Sequence, residues 1–398
     1  MRIALESLDN AGKTTHIAHL EQDLQDLGLR TQTLASPAKN NFSGPILRKN
    51  IGAMDPNRAN RLFAYDIERS QRDINPNADV VLFDRHLDTV RVSNTDPDQA
   101  DIQIAEIAKR IKDPDRIIYL DIPPNISWAR ECNNAPHPID FEWIKAKHLR
   151  YQRIIQQDPE RFTILDATLP LEAVYQGLLA MIMSDMSKVI EERMKIYNMV
   201  LNANGLIKFV IDAPVEVKPN VFLPMFVNVK STMADVKVRK QIAEEMIKLA
   251  QLQKYDSVLG LESGGSYYAV TIANELNLPV AFHRTKSKVY SGATGDIVGI
   301  QPVPGSRVLV VDDVYATGQS ASRASRRLND FGCVHELITA FSYSSDAEMK
   351  KRLGGVSASS VTYFRGLRTA ALRNEVISVQ EAEQLTALVD VYRNTIFD

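Results

Sequence analysis

The stretch VLVVDDVYATGQS, Val308 to Ser320, is an apolar run that ends in two adjacent carboxylates and passes through small residues into a helix. The apolar run reads as a buried parallel strand. Asp312 and Asp313 at its carboxyl end can accept hydrogen bonds from the 2′,3′-diol of a ribose. Beyond them Ala316, Thr317, Gly318, Gln319 and Ser320 offer backbone N–H groups and two hydroxyls at a helix start, where the dipole favours an anion. A ribose 5-phosphate fits this order of parts. The plainer alternative is an ordinary buried strand and helix cap, since acidic pairs at strand ends are common in doubly wound sheets.

Upstream lies a second turn suited to phosphate. The apolar strand Ser257 to Leu261 runs into Glu262-Ser263-Gly264-Gly265-Ser266 and a helix from Tyr267 to Leu276. Two consecutive glycines let backbone N–H groups converge on one anion, and a pyrophosphate suits them. A strand from Val280 to Arg284 follows, then a polar loop from Thr285 to Gly295. Arg284, Lys286 and Lys288 could close over a polyanion, stabilising a departing pyrophosphate together with Mg²⁺. Taken alone, three basic residues read as a solvated hairpin loop.

The first half carries another phosphate site. SLDNAGKTT, Ser7 to Thr15, follows the first strand. In this loop Lys13 would reach the β- and γ-phosphates of ATP and Thr14 would hold Mg²⁺, while N–H groups from Asn10 to Thr14 wrap the phosphates. Ser7 stands where this pattern expects its first glycine. Strands are predicted at Arg2 to Glu6, Leu29 to Ala35, Ala78 to Phe83, Arg116 to Asp121 and Arg161 to Leu165, separated by amphipathic helices. The amphipathic helix Ser187 to Asn202 opens a new unit, which places two α/β domains at 1–185 and 186–398.

Composition agrees with this and excludes several classes. At 398 residues two cores are expected. The 44% hydrophobic and 24% charged content is that of a globular protein, and a net charge of −2 gives no general attraction for nucleic acid or a membrane. Cys132 and Cys333 lack metal-ligand spacing and form no disulfide framework, so a cytoplasmic setting is expected. No stretch approaches a membrane span or a signal peptide.

Leu5-Glu6, Leu8-Asp9, Ala11-Gly12-Lys13-Thr14-Thr15, Asp84-Arg85-His86 and Leu120-Asp121-Ile122-Pro123-Pro124 together resemble the thymidylate kinases. These are P-loop nucleoside monophosphate kinases, with a parallel sheet flanked by helices. The resemblance implies that Asp9 contacts the acceptor sugar. It sets Asp84 and Arg85 beside the transferring phosphoryl group and Mg²⁺, and Phe63 against the base. Read without the resemblance, Phe63 is a core residue. The chain departs from the family at Asn10, at Ala35-Ser36-Pro37, at Ile67, and in a lid that has no Arg or Lys between Arg130 and Asp140. Arg130 is the cation expected there, with Arg69 contributing from an earlier helix. These departures leave the acceptor open.

Val308 to Ser320 resembles the ribosyl-phosphate signature of type I phosphoribosyltransferases. Asn202-Ala203-Asn204-Gly205, Met225 to Lys230 and the Gly264-Gly265 turn extend the likeness to orotate phosphoribosyltransferase over 187–398. It implies phosphoribosyl diphosphate as co-substrate, Arg284 and Lys288 as loop cations, and a base enclosed near Phe226 and Tyr290. It also implies a homodimer through this domain. Thr285, Tyr290 and Ser342-Tyr343 replace residues of that family, which leaves the base open. The expected function is therefore phosphoribosyl transfer to a pyrimidine-like base together with phosphorylation of a nucleoside monophosphate such as dTMP. Two alternatives stand: a sensor that binds both ligands without turnover, and a nucleic-acid-modifying kinase that would need a basic groove.

Overall fold

A computed structural model describes residues 1–38, 43–50, 54–93, 102–134, 140–218, 221–288 and 295–397. They divide into two compact units, Met1–Leu24 with Thr31–Lys188, and Gln25–Arg30 with Val189–Asp398. No described helix is long and apolar enough to cross a membrane.

The first unit is a five-stranded parallel sheet of β1 (Arg2–Ser7), β2 (Thr31–Ala35), β3 (Val80–Asp84), β4 (Arg116–Asp121) and β5 (Phe162–Asp166), in the order β2-β3-β1-β4-β5. Its central strands are continuous apolar runs because helices cover both faces; all five residues of β3 are buried. The chain crosses from one side of β1 to the other between β3 and β4. That switch opens a crevice at the carboxyl ends of the strands, where the Ser7–Thr15 loop lies.

The second unit has two small antiparallel pairs, β6 (Ile207–Phe209) with β9 (Met225–Val227) and β7 (Val215–Lys218) with β8 (Val221–Leu223). Its main sheet contains β10 (Ser257–Leu261), β11 (Val280–Lys288), β12 (Gly295–Gly299), β13 (Arg307–Tyr315), β14 (Val334–Ser342) and β15 (Ala358–Tyr363). The order is β12-β11-β10-β13-β14-β15, with only the β11–β12 pair antiparallel. One face is packed by Leu259, Val308, Val310, Leu337, Ala358 and Met349.

Several expected boundaries shift, among them Ala78–Phe83 to Val80–Asp84 and Arg161–Leu165 to Phe162–Asp166. β13 continues past the acidic pair to Tyr315, because Val314 and Tyr315 still pair with Phe341 and Ser342 of β14. The segment expected as a loop from Thr285 begins as strand, since β11 runs to Lys288 and pairs there with Gly295. β2 starts at Thr31 rather than Leu29, three residues after Gly28 takes a left-handed φ of 79°.

Candidate functional site

In the first unit the loop after β1 closes around its own lysine. Ser7 is fully buried at the end of β1, and its hydroxyl lies 2.5 Å from Lys13 Nζ. The ammonium also donates to the Leu8 carbonyl at 2.7 Å. Ser7 has no positive φ, so a glycine's freedom is not needed there. Asn10 (φ 57°) and Gly12 (φ 90°) carry the left-handed turns. Asparagine tolerates that conformation, which explains why Asn10 can stand in for a glycine. Helix Pro124–Asn134 braces the loop from outside: Ser127 Oγ donates to the Asp9 carbonyl at 2.8 Å, Arg130 donates to the Asn10 carbonyl at 3.2 Å, and Asn10 donates to Glu131.

Thr14 and Asp84 come together across 70 residues, with Thr14 Oγ1 donating to Asp84 Oδ2 at 2.6 Å. These are hard oxygen donors beside a phosphate loop, a set that fits Mg²⁺. Arg85, next in the chain and at a positive φ of 77°, donates to Asp9 Oδ1. Burial disfavours the Asp9 charge, yet Lys147, Arg85 and Lys13 together hold its carboxyl far below the usual range. Burial, reinforced by Arg85, pulls the Lys13 ammonium down to about 7.

Lys147 is a member of this cluster that sequence motifs did not reveal. It sits on helix Phe141–Gln157, and its Nζ lies 3.1 Å from Asp9 Oδ2. The signal was present in the pattern: Ile144, Lys147, Tyr151 and Ile155 form the buried stripe of that helix, with a lysine in an apolar series. Beneath them Glu6 is fully buried and accepts from the His86 N–H (2.7 Å), Thr89 Oγ1 (2.5 Å) and Tyr151 OH (2.9 Å). Burial, then Asp88, raises its carboxyl.

Phe63 is buried in a cluster with Leu47, Ala64, Ile67, Leu87 and Ile107, and Arg69 is exposed on helix Pro56–Arg72. Asp66 of the same helix accepts from the Ala38 N–H (2.8 Å) and Ser43 Oγ (2.9 Å), which ties down the segment after β2. Ala11 is buried within the loop, and Thr15 is exposed one residue beyond Thr14.

In the second unit β10 and β13 are neighbours at the switch point of the sheet, so the diglycine turn and the acidic pair meet. A Cβ on Gly264 would fall 1.8 Å from Asp313 Oδ2, and one on Gly265 would fall 2.4 Å from the Val311 carbonyl. Close approach requires both glycines. Neither has a positive φ, so conformational freedom is not the reason. The Asp313 N–H donates to Asp312 Oδ1 at 2.9 Å, and the Val314 N–H to Asp313 Oδ1 at 3.0 Å. Burial and the adjacent Asp313 push the Asp312 carboxyl well above its usual range, with Lys230 opposing. Downstream, Gly318 combines a φ of 70° with a position 2.4 Å from Tyr315 OH for any added Cβ. Helix Gln319–Asp330 starts there, which leaves Ala316, Thr317 and Ser320 around a helix N-terminus.

Arg284 leans from β11 toward Glu262 at 3.7 Å, beside exposed Ser263. Lys288 closes β11, and Tyr290 lies outside the described residues. Phe226 is 36% exposed on β9. That strand is held by Tyr343, whose hydroxyl donates to the Met225 carbonyl at 2.8 Å. Ser342 turns inward to the Ser344 carbonyl at 2.7 Å, so both residues of the Ser342-Tyr343 pair are engaged by backbone carbonyls within the fold.

Residues 5–178 match the family described as Thymidylate kinase, and residues 228–359 match the family described as Phosphoribosyl transferase domain. The orotate phosphoribosyltransferase of Bacillus anthracis is 28% identical over 167 residues, 41% of this chain and 78% of that protein. That of Oceanobacillus iheyensis is 28% identical over 166 residues, 41% of this chain and 81% of that protein. The solved structure of UMP synthase from Leishmania donovani covers 98% of this chain and 82% of its own, at 15% identity and a TM-score of 0.48.

Proposed function

From a chain that joins a thymidylate kinase domain to a phosphoribosyl transferase domain, we propose a bifunctional enzyme of nucleotide metabolism. The second unit transfers a phosphoribosyl group from phosphoribosyl diphosphate to a pyrimidine-like base and releases pyrophosphate. The first phosphorylates a nucleoside monophosphate such as dTMP with ATP. The observation that carries the transferase reading is the Asp313 carboxylate pressed against Gly264, which brings a diol-binding group and an anion-binding turn together. Asp312 and Asp313 orient the ribose, the Ala316–Ser320 loop takes its 5-phosphate, and Gly264, Gly265 and Arg284 face the departing pyrophosphate. In the kinase unit Lys13 takes the β- and γ-phosphates, and Thr14 with Asp84 would hold Mg²⁺, which supplies charge neutralisation between phosphates.

Purified protein given labelled ATP with a panel of monophosphates, and phosphoribosyl diphosphate with a panel of pyrimidine bases, tests both halves. Label transfer to no monophosphate removes the kinase half. Absence of base-dependent pyrophosphate release, with Asp312→Asn/Asp313→Asn as the blank, removes the transferase half. The orotate phosphoribosyltransferase likeness supports a homodimer through the second unit, and sedimentation showing a monomer at every concentration would remove it. Both cysteines are free thiols, which supports a reducing, cytoplasmic setting.

One observation favours a second reading, binding without turnover in the kinase unit: the Lys13 ammonium is held by Ser7 and Leu8 of its own loop. Calorimetry that detects ATP while no monophosphate is phosphorylated would select it.

A further inference from the structure

Phosphoryl transfer spreads negative charge over equatorial oxygens, and a site that accelerates it sets cations around them. The lid of this chain carries no Arg or Lys between Arg130 and Asp140. Arg130 donates instead to the Asn10 carbonyl. Lys147 comes from the following helix, with its side chain only 4% exposed and its Nζ 3.1 Å from Asp9 Oδ2. The indole of Trp143, one turn earlier, lies 4.9 Å from the ammonium.

Packing alone does not account for this lysine. A buried ammonium is costly without an anion, and the anion it faces is already engaged by Arg85 on its other oxygen. Around the loop the basic side chains of Lys13, Arg85 and Lys147 all act on Asp9, and Lys13 and Arg85 act on Asp84 as well. Three basic side chains converge on two carboxylates where an anion would sit. Burial and the neighbouring Arg85 also weaken the Lys147 charge, the direction expected before an anion arrives.

We propose that Lys147 is a catalytic cation of the kinase site, replacing from helix Phe141–Gln157 the charge its lid lacks and facing the acceptor phosphate and the transferring phosphoryl group. This rests on the kinase reading above. In the step, an acceptor phosphate oxygen forms a bond to the γ-phosphorus of ATP, and the bond to the β,γ-bridging oxygen breaks with its electron pair remaining on ADP. Lys147 keeps its proton throughout and is shared between Asp9 and the phosphoryl oxygens.

The test uses the full chain with Lys147→Met, Lys147→Gln and Lys147→Arg, read by single-turnover transfer and by calorimetric binding of ATP and dTMP. Lys147→Met is expected to slow transfer by about a hundredfold, the scale of losing one transition-state donor. It is expected to weaken dTMP binding about tenfold and leave ATP binding within about twofold, with Lys147→Arg recovering most of the transfer rate. If Lys147→Met does not fold, Lys147→Gln, which keeps a hydrogen bond to Asp9 without the charge, decides in the same way. Wild-type transfer and dTMP affinity in the neutral variants would overturn the proposal. So would equal losses of ATP and dTMP binding, the mark of a structural role. A wild-type chain that binds dTMP but transfers to no monophosphate removes the kinase reading and the catalytic role with it, and the dTMP affinities then decide only whether Lys147 faces the bound monophosphate.

Discussion

Ser7 places a hydroxyl where a phosphate loop usually has only hydrogen, and that hydroxyl holds Lys13 in a fully buried pocket. Phosphate must displace it. Ser7→Gly is therefore expected to tighten ATP binding by up to about tenfold, the equivalent of ~1.4 kcal/mol, in a calorimetric titration. Removing Ser7 creates no backbone demand, because the residue lies in an extended strand end. Gly264 is the opposite case. An added methyl would collide with the Asp313 carboxylate at 1.8 Å, so Gly264→Ala is expected to abolish pyrophosphate release. Overpacking of this kind costs about 1–3 kcal/mol, which a shifted thermal unfolding midpoint will report.

At the scale of elements, the segment from the end of β3 into the helix Leu87–Ser93 joins the Ser7–Thr15 loop cluster to the core. His86 is fully buried there, its ring against Phe83 and its Nε2 3.1 Å from Gln71 Nε2. Burial, against the pull of Asp88, lowers its pKa to about 4. The native state therefore resists protonation that the unfolded chain accepts near the ordinary value of 6.5. Stability is full above that value and is lost as the pH falls toward 4, by up to about 3 kcal/mol at ~1.4 kcal/mol per unit. Urea titrations between pH 7 and 4 should show this slope in the wild type and a shallower one in His86→Gln. An equal slope would assign the loss to other groups. Helix Phe141–Gln157 shows the same economy of parts, since one buried stripe supplies Ile144 and Ile155 to packing and Lys147 and Tyr151 to the polar cluster.

At the scale of the whole molecule, each unit has its own sheet and its own candidate phosphate turns at the carboxyl ends of the strands. Lys13→Met is expected to remove ATP-dependent phosphorylation while leaving pyrophosphate release within about twofold, and Gly264→Ala the reverse. Paired assays on the two variants check this, and joint loss in either one would refute it. The strand-to-helix turns after β1 and β13, the parallel strands and the acidic pair were legible from sequence, because strand period, glycine and helix-start chemistry are local signals. The extension of β13 to Tyr315 was not, because ladder pairing with β14 lengthens a strand that its own residues would end. Nor was the reason for Gly264 and Gly265, which is a carboxylate and a carbonyl from a strand some 50 residues away. The sequence by itself determined which groups could bind phosphate and ribose. Only the tertiary structure decided that Ser7 holds Lys13, that Arg130 faces a backbone carbonyl, and that Lys147 joins Arg85 on Asp9. Charges distant in sequence acquire their partners and their desolvation only when the sheet and helices bring them within a few ångströms.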